Sequence, residues 1–144
     1  MSDAIVRAAR DWIGTPYHHQ AATKGAGCDC LGLIRGVWQD VIGDLPEAVP
    51  PYAPDWDEPQ GRDLLLAACR RLLVAKPLAT AQAGDVVVFR MRAGSVAKHL
   101  GIQSQTGSSA AFIHSFQGHG VVESQFSAPW QRRIAARFAF PTRG

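Results

Sequence analysis

Residues 14–38 read GTPYHHQAATKGAGCDCLGLIRGVW, and this stretch decides the fold. A loop rich in Gly and small residues leads to Cys28 and Cys30, and an apolar run follows at once. Apolar side chains then recur at helical spacing up to Gly43. These are Leu31, Leu33, Ile34, Val37, Trp38, Val41 and Ile42. The pattern predicts a largely buried helix that begins at about Cys30.

Cys30 is predicted to lie in the first turn of this helix. The helix dipole and the free backbone N–H groups of a first turn favour a thiolate. We therefore expect Cys30 to be a better nucleophile than a free cysteine, and the same N–H groups offer a place for an oxyanion.

The cysteines allow other interpretations. A Cys28–Cys30 disulfide closes a very tight, strained ring, which leaves only a transient redox bond open. A zinc site with His18 and His19 is disfavoured, because structural zinc sites use cysteines two to four residues apart. Cys69 lies inside a helical apolar pattern and is most simply a small buried hydrophobe.

The chain has 144 residues, a net charge of +3 and three cysteines. This length fits one domain over residues 1–144. The basic residues are spread along the chain, so we do not expect nucleic-acid binding. No apolar run approaches the roughly 18 residues of a membrane span. Charged residues interrupt the first apolar pattern, which is unlike a secretory signal, so we expect synthesis in the cytoplasm without a signal peptide.

The rest of the chain predicts an α+β fold, with helices first and a sheet second. Apolar periodicity predicts helices over residues 5–13 and 63–75, with Leu64 on the core-facing side of the latter. Residues 44–61 are rich in proline and are predicted to form a surface loop, either a plain connector or a wall of a cleft. Five β-prone runs follow Pro77 and predict a mostly antiparallel sheet of about five strands. They read GDVVVFRM, HLGIQSQ, AAFIHSF, GVVESQF and RIAARFAF.

Two histidines are candidates to assist the thiol. A nucleophilic cysteine needs a base, and the base needs a group that orients it. His99 and His114 fall on two of the predicted strands, where their imidazoles can lie side by side. A hydrogen-bonded filler is the more common role of a strand histidine, and the pattern alone leaves that alternative open. His18, His19 and His119 fall in loops, where solvated or locally bonded side chains are the simpler interpretation.

Four motifs together resemble the NlpC/P60 cell-wall peptidases, whose papain-like domain joins N-terminal helices to an antiparallel sheet. Residues 14–38 are similar to the family's Gly-x-Pro-Tyr loop and Asp-Cys-x-Gly-Leu nucleophile helix. GDVVVF (84–89), KHLGI (98–102) and FIHSFQGHGVV (112–122) are similar to its strands, in the family's order. The resemblance covers almost the whole chain and implies this papain-like fold.

The resemblance also implies the chemistry. It makes Cys30 the nucleophile, His99 the general base and acid, and His114 the residue that orients His99. The implied activity is that of a thiol hydrolase that cuts an amide in peptidoglycan stem peptides, with the bond from γ-D-Glu to the diamino acid expected. No metal or organic cofactor is implied.

Substrate contacts are implied at Tyr17, Asp29 and Leu31. Tyr17 matches a tyrosine whose hydroxyl lies near the thiol, and Asp29 matches an aspartate that holds the substrate's amine in relatives requiring a free N-terminal L-Ala. At Leu31 the sequence departs from the family, because many members have serine there. This departure leaves the requirement for the amine, and with it the exact bond, open.

The form GCDCLGL and the lack of appended wall-binding repeats resemble the subgroup encoded with phage tails, prophages and gene transfer agents. The resemblance implies a virion component with phage-like tail or hub proteins as partners, which opens the wall of the recipient as DNA enters. Two alternatives stay open: a structural tail-hub protein whose site is idle, and an amidase or acyltransferase on the same fold.

Overall fold

The computed structural model describes residues 2–52, 63–92 and 94–141. The helices are α1 (Ser2–Asp11), α2 (Cys30–Val41), α3 (Leu64–Leu72) and α4 (Ala128–Gln131). The strands are β1 (Ala22–Thr23), β2 (Gly27–Cys28), β3 (Val74–Lys76), β4 (Val86–Arg90), β5 (Ala97–Gln105), β6 (Ala111–Phe116), β7 (Gly120–Gln125) and β8 (Ile134–Ala139). The predicted α+β class is confirmed. None of the described helices has the length and apolar character needed to cross a membrane.

The main sheet is antiparallel throughout its described part. It has six strands in the described residues, in the order β3-β8-β4-β5-β6-β7, and β1 and β2 form a separate hairpin before α2. Each of the five predicted runs forms one strand, from β4 to β8. The sixth strand, β3, overlaps the stretch predicted as helical at Val74 and Ala75, because α3 ends at Leu72 and β3 pairs with β8.

The sheet buries side chains on both faces. Val86 and Val88 belong to the main core with α1, α2 and α3, whereas Val87 and Phe89 belong to a smaller cluster on the opposite face. This alternation is that of a strand covered on both sides. Cys69 is buried in α3, as predicted.

The buried face of α3 differs from the predicted one. The helix buries Leu65, Leu66 and Cys69, while Leu64 is 43% exposed. Apolar residues at neighbouring positions of a short helix fit more than one stripe, and here the buried stripe is rotated by about one residue.

Two glycines allow α2 to pack closely against its surroundings. A Cβ on Gly32 would lie 1.8 Å from the carbonyl oxygen of Ala21, and a Cβ on Gly36 would lie 2.0 Å from the Trp12 ring. No side chain fits at either place. The two close approaches fix the start of α2 against the preceding loop and its middle against the end of the first helical segment.

A buried ionic network holds one end of the sheet together. Asp85 accepts hydrogen bonds from Lys76 Nζ at 2.7 Å and from Arg137 Nη1 at 3.0 Å. Arg137 Nη1 also donates to Gln103 Oε1 at 2.6 Å. The network therefore links β3, β5 and β8 to the residue that precedes β4.

We expect Asp85→Ala to lower the free energy of unfolding by about 3–5 kcal/mol, because it leaves the buried guanidinium of Arg137 without its carboxylate. Urea unfolding of the two proteins measures this difference. Asp11→Ala removes an exposed carboxylate and serves as the control, with an expected change within about 0.5 kcal/mol. Equal losses in the two variants would contradict a stabilising role for the network.

Candidate active site

Cys30 is the first residue of α2, where the sequence pattern predicts it. Asp29 caps the helix, and its Oδ1 accepts the N–H of Gly32 at 2.7 Å. The thiol of Cys30 is directed at the carbonyl oxygen of Lys98, with 3.9 Å between Sγ and O. Cys30 therefore lies where the start of α2 meets the first part of β5.

The carboxylate of Asp29 is held by groups of the protein itself. It is 2% exposed, and its Oδ2 accepts the N–H of Gln20 at 2.7 Å and the hydroxyl of Tyr52 at 2.5 Å. His19 Nδ1 lies 3.6 Å from the same oxygen. Asp29 thus joins the helix start, the loop before it and Tyr52 into one polar cluster.

His99 and His114 form a hydrogen-bonded pair. His99 lies on β5 and His114 on β6, and 2.7 Å separates His99 Nε2 from His114 Nδ1. The register that pairs Ile102 with Ile113 sets Gly101 across from His114. A Cβ on Gly101 would lie 2.8 Å from Phe112 Cδ2, so the glycine leaves room for the Phe112 ring beside the histidine pair.

The pair continues to a serine on the next strand. His114 Nε2 lies 2.9 Å from Ser124 Oγ on β7. Aromatic rings enclose the two imidazoles: the Trp130 centroid lies 5.7 Å from that of His99 and 5.3 Å from that of His114. Phe112 packs against His114 with 4.2 Å between centroids. These aromatic rings therefore shield one side of the histidine pair from water.

Cys30 and His99 line one cleft of about 150 Å³. Tyr17 and Asp29 also line it, so four of the predicted site residues share this space. His114 is bonded to the Nε2 of His99, which leaves Nδ1 of His99 as the ring nitrogen available to the cleft. An arrangement of thiol, imidazole and orienting group at one cleft is suited to nucleophilic catalysis.

Burial sets the charge of the thiol. Burial and then the carboxylate of Asp29 raise the pKa of Cys30 to about 12, although the backbone N–H groups of Leu100 and Leu31 act in the opposite direction. The expectation that the helix start favours a thiolate is therefore wrong for the free site. The raised pKa favours the neutral thiol in the free protein.

Both imidazoles are neutral as well. Burial and the adjacent His114 lower the pKa of His99 to about 3, and burial and His119 lower the pKa of His114 to about 4. A thiolate can then form only as its proton passes to a neighbouring base, and His99 is a neutral imidazole that lines the same cleft.

The two lowered histidine pKa values predict a loss of stability in mild acid. The unfolded chain binds protons at these histidines near pH 6.5 and the folded protein does not, so the free energy of unfolding falls as the pH drops from about 6.5 toward 4. The slope approaches about 1.4 kcal/mol per pH unit for each histidine. Urea unfolding at pH 7 and pH 5 measures it. The double variant His99→Gln/His114→Gln should show a smaller slope, and a parent protein equally stable at both pH values would contradict the prediction.

The predicted substrate contact of Leu31 requires its side chain to line the cleft, and Leu31 is not among the residues that line it. Its side chain lies in an apolar hollow with Ile34, Trp38 and Leu100, away from the cleft that Cys30 lines. One residue along a helix turns the side chain by about 100°, which takes Leu31 toward α3. Leu31 acts on the thiol of Cys30 through its backbone N–H.

The sequence did not predict a place at the site for several polar residues, among them His19, Tyr52 and Ser124. His19 and Tyr52 line the cleft, and the Nε2 of His19 lies 2.9 Å from the carbonyl oxygen of Tyr52. The sequence favours a solvated or locally bonded loop side chain for His19, and Ser124 belongs to none of the recognised motifs. The proline-rich loop reaches the cleft through Tyr52, which supports its interpretation as a wall. Residues 53–61 of that loop lie outside the described part of the chain.

The comparisons with known proteins agree on the architecture. A family model described as the NlpC/P60 family matches residues 14–138. The NlpC/p60 domain of the peptidoglycan hydrolase SagA is 24% identical, with a TM-score of 0.67 over 97% of this chain and 99% of that one. A comparison with curated protein sequences gives no match.

Two longer proteins are also similar. An NLP/P60 family protein from Staphylococcus aureus subsp. aureus Mu50, described as similar to a lipoprotein, is 22% identical, with a TM-score of 0.63 over 98% of this chain and 41% of that one. Ly7917, solved with the hydrolysing product of MDP, is 12% identical, with a TM-score of 0.62 over 98% and 63%. The chain thus spans less than half of the staphylococcal protein. At these identities the solved structures show a shared fold.

Proposed function

The chain belongs to the NlpC/P60 family, and from that premise we propose that it is a cysteine hydrolase that cleaves an amide bond in the stem peptides of peptidoglycan. One observation carries the proposal: His99, whose Nε2 is bonded to His114, lines the same cleft as the thiol of Cys30. The similar SagA domain is that of a peptidoglycan hydrolase, which supports the choice of substrate.

In the first half of the proposed reaction, Cys30 Sγ attacks the amide carbonyl carbon as its proton passes to Nδ1 of His99. The N–H groups at the start of α2 have no partner within the helix, and that of Cys30 is proposed to donate to the oxyanion. The C–N bond then breaks, the proton on His99 passes to the leaving amine, and a thioester remains on Cys30.

In the second half, His99 takes a proton from water while the water oxygen attacks the thioester carbon. The C–S bond breaks, a carboxylic acid leaves, and the proton returns from His99 to the sulfur of Cys30. His114 holds the ring of His99 in place through both halves by the 2.7 Å contact. The balance needs no metal or organic cofactor.

Tyr17 and Asp29 are proposed to contact the substrate from the cleft wall. Burial and the neighbouring Cys30 and Asp29 raise the pKa of Tyr17, so its hydroxyl stays a hydrogen-bond donor. Asp29 already accepts the Tyr52 hydroxyl, and a substrate amine would have to share the carboxylate with it. The side chain of Leu31 is not proposed as a contact, because it lies in the apolar hollow.

The bond we propose is that from γ-D-Glu to the diamino acid. Digestion of purified muropeptides followed by mass spectrometry tests it: the expected products are two fragments of the stem, with one new amino group on the diamino acid. A cut between the sugar and the peptide would show that the protein is an amidase and not a peptidase. Absence of any cut would favour an acyltransferase or an idle, structural site and would overturn the proposal.

We also propose that residues 1–144 work as one domain at the tip of a phage-like tail, where the domain acts on the recipient's cell wall, in the periplasm, and opens it as DNA enters. The form GCDCLGL supports this setting, and the main buried cluster, whose members run from Ile5 to Phe140, supports the single domain. Mass spectrometry of purified phage-like particles from a producing strain is expected to detect the chain with the tail proteins. Its absence from intact particles would contradict the setting while leaving the hydrolase untouched.

A further inference from the structure

A chain of hydrogen bonds runs from the cleft to the edge of the sheet. It joins His99 Nε2 to His114 Nδ1 over 2.7 Å and His114 Nε2 to Ser124 Oγ over 2.9 Å. Each contact holds one hydrogen between two heavy atoms. Both imidazoles are neutral at pH 7, because burial lowers the pKa of His99 to about 3 and that of His114 to about 4. Each ring therefore carries one N–H.

Two arrangements of these protons satisfy the contacts. In the first, His99 Nε2–H donates to His114 Nδ1, and His114 Nε2–H donates to Ser124 Oγ. In the second, the Ser124 hydroxyl donates to His114 Nε2, and His114 Nδ1–H donates to His99 Nε2. Only the first leaves Nδ1 of His99 without a proton on the side of Cys30, so only the first gives the thiol a base.

We propose that Ser124 is a positioning residue of the active site, whose Oγ accepts the Nε2–H of His114 and so selects the proton arrangement in which His99 can act as the base. The inference rests on the proposed function, since the selection matters only if His99 deprotonates Cys30.

The place of Ser124 in the sheet suits an acceptor. The register pairs His114 with Val122 and Phe112 with Ser124, so Ser124 is the diagonal neighbour of His114 on the same face. β7 is an edge strand of the described sheet and Ser124 is half-buried. Its own hydroxyl proton can therefore be donated to water, which leaves an oxygen lone pair for the imidazole. A fully buried serine could not donate its hydroxyl proton to water.

Histidine nitrogen spectra test the inference directly. In the protein labelled with ¹⁵N-histidine, we expect Nε2 to be the protonated nitrogen of both His99 and His114 at pH 7. In Ser124→Ala, a measurable share of the signal of each ring should move to the Nδ1–H form. Ser124→Thr keeps a hydroxyl and should restore the parent spectrum. A purely structural contribution of Ser124 would not change which nitrogen is protonated.

Alkylation of Cys30 by iodoacetamide at pH 7 gives a second readout that needs no muropeptide. We expect Ser124→Ala to react about five- to tenfold more slowly, the effect of losing one neutral hydrogen bond to His114, the residue that orients the base. The control is Ser104→Ala, which removes a buried hydroxyl bonded to Glu123 rather than to a histidine and should leave both readouts unchanged.

Protonated Nδ1 of His114 in the parent protein would overturn the inference, and so would a Ser124→Ala variant with unchanged spectra and alkylation. If Ser124→Ala does not fold, the parent spectrum and Ser124→Thr decide the question. A parent protein that cuts no muropeptide refutes the proposed function, whereas the nitrogen spectra judge Ser124 independently of that result.

Discussion

Replacing Cys30 by alanine is expected to abolish the release of new amino groups from purified sacculi, a loss of about 10⁴-fold or more in kcat/KM. Without Sγ no thioester can form, and the pair of His99 and His114 has no thiol to deprotonate. The substitution removes one buried atom from a residue that is 7% exposed, so the fold should be kept. Amine labelling of digested sacculi measures the activity, and circular dichroism checks the fold.

Cys28→Ala is the matched control for this variant. Cys28 lies two residues upstream and is buried, and its carbonyl oxygen, which accepts the hydroxyl of Ser115 at 2.7 Å, survives the substitution. Burial raises the pKa of the Cys28 thiol to about 11. We expect the activity of Cys28→Ala to stay close to that of the parent. If Cys30→Ala cuts as fast as the parent, or if only Cys28→Ala is inactive, the nucleophile is misassigned.

The second large effect is expected for His99→Ala, which should lower kcat by about 10³-fold. The pKa of Cys30 is raised to about 12 by burial and Asp29, so the thiol depends on a base to form a thiolate near pH 7. The leaving amine also loses its proton donor. The variant leaves a space beside the thiol, and imidazole added to the assay is expected to restore part of the rate.

His18→Ala is the control for this variant, since His18 is an exposed loop residue whose Nδ1 lies 3.3 Å from the carbonyl oxygen of the neighbouring His19. Its kcat should match that of the parent. A His99→Ala protein that is folded and retains full activity would show that Cys30 uses a different base.

Several parts of the fold and site follow from local sequence. The apolar spacing after Cys30 and the small residues before it predict where α2 begins, because a helix start is set by nearby residues. His99 and His114 occur in two β-prone runs joined by a short connection, so antiparallel pairing brings them to neighbouring strands. The family motifs then predict their roles, which remain to be tested.

Other parts depend on contacts between distant residues. The hydrogen bond from Tyr52 to Asp29 joins residues 23 positions apart, and no local pattern in the proline-rich loop predicts it. The direction of the Leu31 side chain depends on which side of α2 is covered by the helices and strands that follow it in the chain. The raised pKa of Cys30 results from burial, which only the packed structure reveals, and β3 is too short for its pattern to compete with that of the helix before it.

Cys30 and His99 are proposed to act as one catalytic unit, and the double variant Cys30→Ala/His99→Ala tests this proposal most directly. Groups that act in one step lose their effect together, so removing the second costs little once the first is gone. Muropeptide cleavage by the double variant is predicted to be as slow as by Cys30→Ala alone. The contrary result is a double variant that is slower than Cys30→Ala by the full factor measured for His99→Ala alone. Such a result would show that the two residues act independently.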